Sequence, residues 1–228
     1  MANETIILAC GTLKQELEYV MDKTSCKYPV ELVDSGLHAW PDKLRDSING
    51  KLGQLDEKYS TVLLIFGFCG NSLVGVNSGK RTLVMPLVAD CIPIFLGSNE
   101  ERDKAGIDTY FFTEGYLNHE QTIVSEYERS LEKYGKKRAD RIAKILMQHY
   151  RKLAVIDTGV FRVEHVQNRI KGLSESLGIP SIILQGNLRL IEDLLKGNWD
   201  QGDFLIVQPN STISLESSFR VGCVGEEC

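Results

Sequence analysis

Short apolar, β-rich runs alternate with longer stretches whose apolar residues recur at helical spacing, and this alternation most limits what the chain can fold into. Thr5-Ile6-Ile7-Leu8-Ala9, Val30 to Val33, Val62-Leu63-Leu64-Ile65-Phe66 and Leu83 to Val88 predict strands in the first half. Leu153 to Ile156, Ser181 to Leu184 and Phe204 to Val207 predict strands in the second. Helices are expected from Leu13 to about Lys23, with Leu13, Leu17 and Val20 on one face, and from Pro41 to about Tyr59, with Leu44, Ile48, Leu52 and Leu55 at helical spacing. Further helices fall at Val163 to Leu177 and Leu188 to Leu195, and Asp90 to Leu96 opens another whose start Pro93 limits. Asp108 to Leu117 reads as an irregular or extended segment, and His119 to Tyr150 as one long helix. Runs apolar on both faces suit parallel strands covered by helices on both sides. The fold class is therefore α/β, with mostly parallel sheets, flanking helices and right-handed crossovers. The units group as an N-terminal α/β lobe over residues 1–118, a long connecting helix over 119–150, and C-terminal α/β units with a weakly patterned tail over 151–228. This grouping favours two Rossmann-like lobes over a single sheet.

Composition narrows the function classes. With 228 residues, 43% of them hydrophobic and 25% charged, the chain can bury a sizeable core and is not disordered throughout. A net charge of −5 weighs against a general nucleic-acid binder. No apolar run reaches the roughly 18 residues of a membrane helix. Met1 to Thr5 has no basic region ahead of an apolar stretch, so a cytoplasmic location is expected. In that compartment the six cysteines read as thiols or metal ligands before disulfides.

In open α/β sheets, ligands bind beyond the carboxyl ends of strands. Cys10 follows the first predicted strand, His38 lies beyond the second, Cys69 follows the third in Gly67-Phe68-Cys69-Gly70-Asn71-Ser72, and Cys91 follows the fourth. If these strands are parallel neighbours, four soft or borderline donors reach one rim. That set suits zinc, and its thiolates also suit an iron–sulfur cluster. Any one of these cysteines alone reads as a small apolar residue at a crowded strand end, and His38 alone as a hydrogen-bonded loop residue. A different chemistry uses the same residues: Cys69 or Cys91 as a nucleophile, its pKa lowered by His38 or by a helix N-terminus, in a transferase or hydrolase. Gly67, Gly70 and Gly75 permit a tight turn, although the run is neither Gly-x-Gly-x-x-Gly nor a Walker loop. Asn71, Ser72 and Asp90 on this rim, Thr158 and Asn187 at later strand ends, and Tyr110 in the aromatic run are candidate cofactor-binding residues around a small-molecule cleft. Thr158 and Asn187 equally suit helix caps, and Tyr110, Phe111, Phe112 and Tyr116 equally suit core packing. Between Arg129 and Lys152 lie nine of the 26 Lys and Arg residues, read as a solvated helix face. Cys26 reads as structural or surface-exposed, and Cys223 and Cys228 as an exposed pair in the tail.

Several segments together are distinctive: Ile7-Leu8-Ala9-Cys10-Gly11, Gly67 through Gly75, Asp90-Cys91-Ile92-Pro93-Ile94-Phe95-Leu96-Gly97-Ser98 and Tyr110-Phe111-Phe112-Thr113-Glu114-Gly115-Tyr116. With Asp157-Thr158-Gly159 and Asp203 to Val207 they resemble the family known as domain of unknown function 1638, across most of the chain. Glu114 and Tyr116 stand where the family pattern has proline and tryptophan. The resemblance implies anaerobic bacterial or archaeal company and an association with corrinoid-dependent methyltransferase systems; it assigns no catalytic residue. The expectation is a zinc or iron–sulfur protein holding its metal through Cys10, His38, Cys69 and Cys91 and supporting corrinoid-dependent one-carbon metabolism. Its partners would be a corrinoid protein or methyltransferase, not nucleic acid or membrane. A non-catalytic corrinoid-binding or partner-binding protein is the third reading.

Overall fold

The structure is a computed structural model that describes residues 4–200 and 202–219; the side chains of His38, Ala39 and Phe219 lie outside the described set, as do Cys223 and Cys228. In chain order the elements begin with β1 (Glu4–Cys10), α1 (Lys14–Thr24), β2 (Val30–Val33), α2 (Pro41–Gln54), β3 (Tyr59–Ile65) and β4 (Thr82–Pro86). There follow α3 (Ile92–Leu96), α4 (Asn99–Ala105), β5 (Thr109–Phe112), α5 (Glu114–Leu117), α6 (Ile123–Tyr134) and α7 (Lys136–Leu146). The last are β6 (Lys152–Asp157), α8 (Val163–Leu177), β7 (Ser181–Gln185), α9 (Arg189–Lys196), β8 (Phe204–Val207) and α10 (Leu215–Phe219). The chain divides into two compact units, residues 1–102 with 187–228, and residues 103–186.

The first unit holds a sheet in the order β2-β1-β3-β4-β8. Its first four strands are parallel, and β8 runs antiparallel to β4. Both faces of the central strands are buried, as their uninterrupted apolar runs require. Ile6, Leu8, Val62, Leu64 and Met85 pack with Leu44, Ile48 and Leu52 of α2. Residues of opposite parity, Ile7, Leu63 and Ile65, are fully buried as well, and α9 packs on β3 and β4. The chain leaves β1 for β2 on one side and returns to β3 on the other. Between β1 and β3 the outgoing loops diverge, which is the switch point where open α/β sheets leave a crevice.

The second unit is a three-stranded parallel sheet, β5-β6-β7. Phe112, Leu153 and Val155 of one face pack with Val124 and Tyr127 of α6, Ala139 and Ala143 of α7, and Val166, Ile170 and Leu173 of α8. The mostly parallel α/β class is what the alternation predicts, while the partition of the chain differs from the sequence grouping. The segment expected to be irregular or extended contains β5, and the last segment rejoins the first unit through α9 and β8. The single helix expected over 119–150 is two, because Gly135 adopts φ 73°, ψ 166°, a conformation open in practice to glycine alone. Arg138, Arg141 and Lys144 of α7 are exposed, as a solvated face should be. Among the described residues no helix is long and apolar enough to cross a membrane.

The turn between α6 and α7 is pinned by one carboxylate. Asp140 Oδ1 accepts the Tyr127 hydroxyl at 2.7 Å, and Asp140 Oδ2 accepts Lys136 Nζ at 2.9 Å. These bonds, Lys136 first and Tyr127 second, lower the Asp140 carboxyl to about 2. A carboxyl near 3.9 in the unfolded chain then contributes stability that is complete above that value and disappears as pH falls toward 2. Acid unfolding of wild type should include this loss between about pH 4 and pH 2. Asp140→Asn should be less stable at neutral pH and lack that component; parallel pH profiles of the two proteins would refute the assignment.

Candidate functional site

Three predicted ligands stand at the carboxyl rim of the first sheet. Cys10 is the last residue of β1, Cys69 lies in the loop after β3, and Cys91 stands directly before α3. The two loops after β3 and β4 continue the strand pairing beyond the sheet: Phe68 N–H donates to the Val88 carbonyl at 3.0 Å and Cys69 N–H to the Ala89 carbonyl at 2.8 Å. They touch so closely at Gly67 that a Cβ there would lie 2.2 Å from the Asp90 carbonyl carbon. Only glycine allows that approach. Immediately beyond, Cys69, Gly70 and Asn71 all occupy the left-handed region, with φ of 44°, 68° and 65°. This conformation costs a non-glycine residue roughly 1–2 kcal/mol. The bend is held by Ser72, whose backbone N–H and Oγ both donate to the Phe68 carbonyl, at 2.8 and 3.0 Å. The β1 and β2 exits also press together, because a Cβ on Gly11 would lie 3.2 Å from Ser35 Oγ.

Cys69 and Cys91 are influenced by neighbouring thiols. Burial pushes the Cys69 thiol up to about 12, with further rises from Cys10 and Asp90; the backbone N–H groups of Cys91 and Gly67 oppose it. Cys91 is raised well above its ordinary value by burial, then by Cys69, Cys10 and Asp90. Cys10 is raised by burial and by the charge of Asp34, against the hydrogen bonds from Thr12, whose Oγ1 lies 3.6 Å from Sγ. All three are half-buried free thiols. Neutral thiols are therefore the resting state at pH 7, the opposite of the depressed pKa that an unassisted nucleophile at Cys69 or Cys91 needs. Among the described residues no three His, Cys, Asp or Glu side chains form a ready-made metal cage. The His38 backbone lies in a 3-10 turn, Ser35–Ala39, after β2; its side chain, and with it the fourth expected ligand, is outside the described set.

The candidate cofactor residues separate. Asn71 is exposed in the left-handed turn, and Ser72 spends its hydroxyl on Phe68. Asp90 Oδ1 accepts Ile92 N–H at 2.8 Å, and Asn187 Oδ1 accepts Arg189 N–H at 3.0 Å, so both brace the start of a helix. Tyr110 and Thr158 belong to the second unit. Tyr110 packs its ring 4.9 Å from that of Tyr150 and shares a 2.6 Å hydroxyl contact with Tyr116. Glu16 was not singled out by sequence, yet its side chain is fully buried on α1. Its position between Leu13 and Leu17 on the apolar helix face is the signal that could have found it.

Residues 32–195 match the family described as Protein of unknown function (DUF1638). The chain belongs to that family. His38, Cys69 and Cys91 fall inside the matched span of this DUF1638 protein, and Cys10 precedes it. No curated protein and no solved structure shows a significant match.

Two outcomes follow from the site geometry. Gly67→Ala should cost about 1–3 kcal/mol or prevent folding, measured by denaturant unfolding, because backbone has to move. In metal-free protein, alkylation of Cys69 should still accelerate at pH 10, since its thiolate fraction keeps growing below the raised pKa. A rate plateau near pH 8 would show the thiol to be ordinary.

Proposed function

We propose that this DUF1638 protein binds a thiophilic metal, zinc or the iron of an iron–sulfur cluster, through Cys10, Cys69 and Cys91, with His38 as the fourth ligand. The place of the three thiols at the carboxyl rim of the first sheet, with Cys69 raised by burial and then by Cys10, and Cys91 by burial and then by Cys69 and Cys10, supports this reading. Burial keeps each thiol protonated, and for Cys69 and Cys91 the neighbouring thiols add to it. A cation reverses that balance: it takes the place of the protons and turns repulsion into attraction. Soft thiolates select zinc or iron over hard cations, and Asp34 and Asp90 add negative potential beside them. Coordination would require the thiols to move from their present positions, which form no ready-made cage among the described residues. A bound metal that keeps one position open supplies Lewis-acid chemistry; four filled positions make the site structural.

The wider role in this proposal is support of corrinoid-dependent methyl transfer in cytoplasmic one-carbon metabolism. That part rests on the family resemblance, whereas the thiol geometry supports the metal. A corrinoid protein or methyltransferase is the partner this role entails.

The test is elemental analysis with an absorption spectrum on anaerobically purified protein. About one equivalent of zinc in a colourless protein, or iron with a brown chromophore, is expected. Cys69→Ser should lower that content, metal uptake should release protons, and affinity should fall with pH. Less than about half an equivalent of any transition metal, unchanged by Cys69→Ser, would overturn the reading.

A further inference from the structure

The second unit contains a groove that the thiol cluster does not use. Its volume is about 550 Å³, within the range of small-molecule sites. It opens between α5 and the first turns of α8, on a floor of the buried residues Leu117 and Val166. β5 ends at Phe112, Thr113 Oγ1 caps α5 by accepting Tyr116 N–H at 3.1 Å, and Glu114 is the first helical residue. The groove therefore borders the carboxyl end of a parallel strand, the side on which α/β sheets take ligands.

Its polar walls carry both signs of charge. Arg169 Nη2 donates to the Leu117 carbonyl at 3.2 Å, which fixes the guanidinium while its remaining N–H groups stay unengaged among the described residues. A guanidinium held this way is suited to a carboxylate. Glu114 Oε1 lies 3.9 Å from His165 Nδ1, so this carboxylate already faces the imidazole. Glu128 is exposed, lines the groove and makes no hydrogen bond among the described residues, which leaves it to receive a cation. Apart from His165, the lining holds two carboxylates against one guanidinium, a net charge of −1.

The geometry points to a binding site for a basic amino acid, its α-carboxylate on Arg169 and its amino groups toward Glu128 and Glu114. A ligand of net charge +1 balances the groove, and its methylene chain covers Leu117 and Val166.

Isothermal titration of the full chain with L-lysine, L-leucine and L-glutamate tests the inference. L-lysine should bind, L-leucine more weakly, and L-glutamate not measurably. Arg169→Ala should weaken lysine binding by about tenfold or more, and Glu128→Gln by a similar factor, the loss expected of one charge-assisted hydrogen bond. Both side chains are exposed, and unchanged unfolding curves would confirm that the variants are folded. No heat from millimolar lysine, glutamate binding as tightly as lysine, or lysine binding indifferent to both substitutions would each overturn it.

Discussion

The first unit depends on parallel pairing of β1, β3 and β4 with both faces of the strands buried. Continuous apolar runs cannot leave one face wet, so helices must cover both, and crossovers must carry the chain from the carboxyl end of one strand to the amino end of the next. That requirement places each strand's outgoing loop on the same rim. The reversal of direction at β1 then opens the crevice between β1 and β3. Cys10 at the end of β1, Cys69 after β3 and Cys91 after β4 stand on that rim because they follow the apolar runs of their strands.

The rim is also where the backbone departs from relaxed geometry. Gly67 lies against the Asp90 backbone, and the following turn runs through three left-handed residues, one of them Cys69. Such conformations persist where surrounding bonds over-determine them. Here the bonds from Phe68 and Cys69 to the next loop, and the double bond from Ser72 to Phe68, hold the turn. In this turn the Cys69 thiol is influenced by Cys10 and Asp90 and by the backbone of Cys91 and Gly67. Burial in the same place keeps all three thiols protonated.

Much of this was legible in the residues. Strand ends at Cys10 and beyond Val33, Ile65 and Pro86 followed from apolar runs bounded by glycine and proline, and the strand-end rule turned them into a common rim. β5 was missed because four residues rich in aromatics show no alternation and pair only with β6 at the sheet edge. The break at Gly135 carried a visible mark, a glycine between Tyr134 and Lys136, which the strong helical charge pattern around it outweighed. The groove residues come from α5, α6 and α8, and no sequence spacing joins them.

The sequence by itself determined the α/β class, the parallel central strands and which thiols stand at strand ends, because hydrophobic period and turn residues are local quantities. Tertiary structure alone decided that the last segment returns to the first unit, that the helix after β5 is two, and that Ser72, Asp90 and Asn187 spend polar groups on bracing their own loops. Those outcomes depend on which surfaces find each other across many residues, and on which donors find acceptors there. The rise in the thiol pKa values is of the same kind: burial and neighbouring charge belong to positions in space.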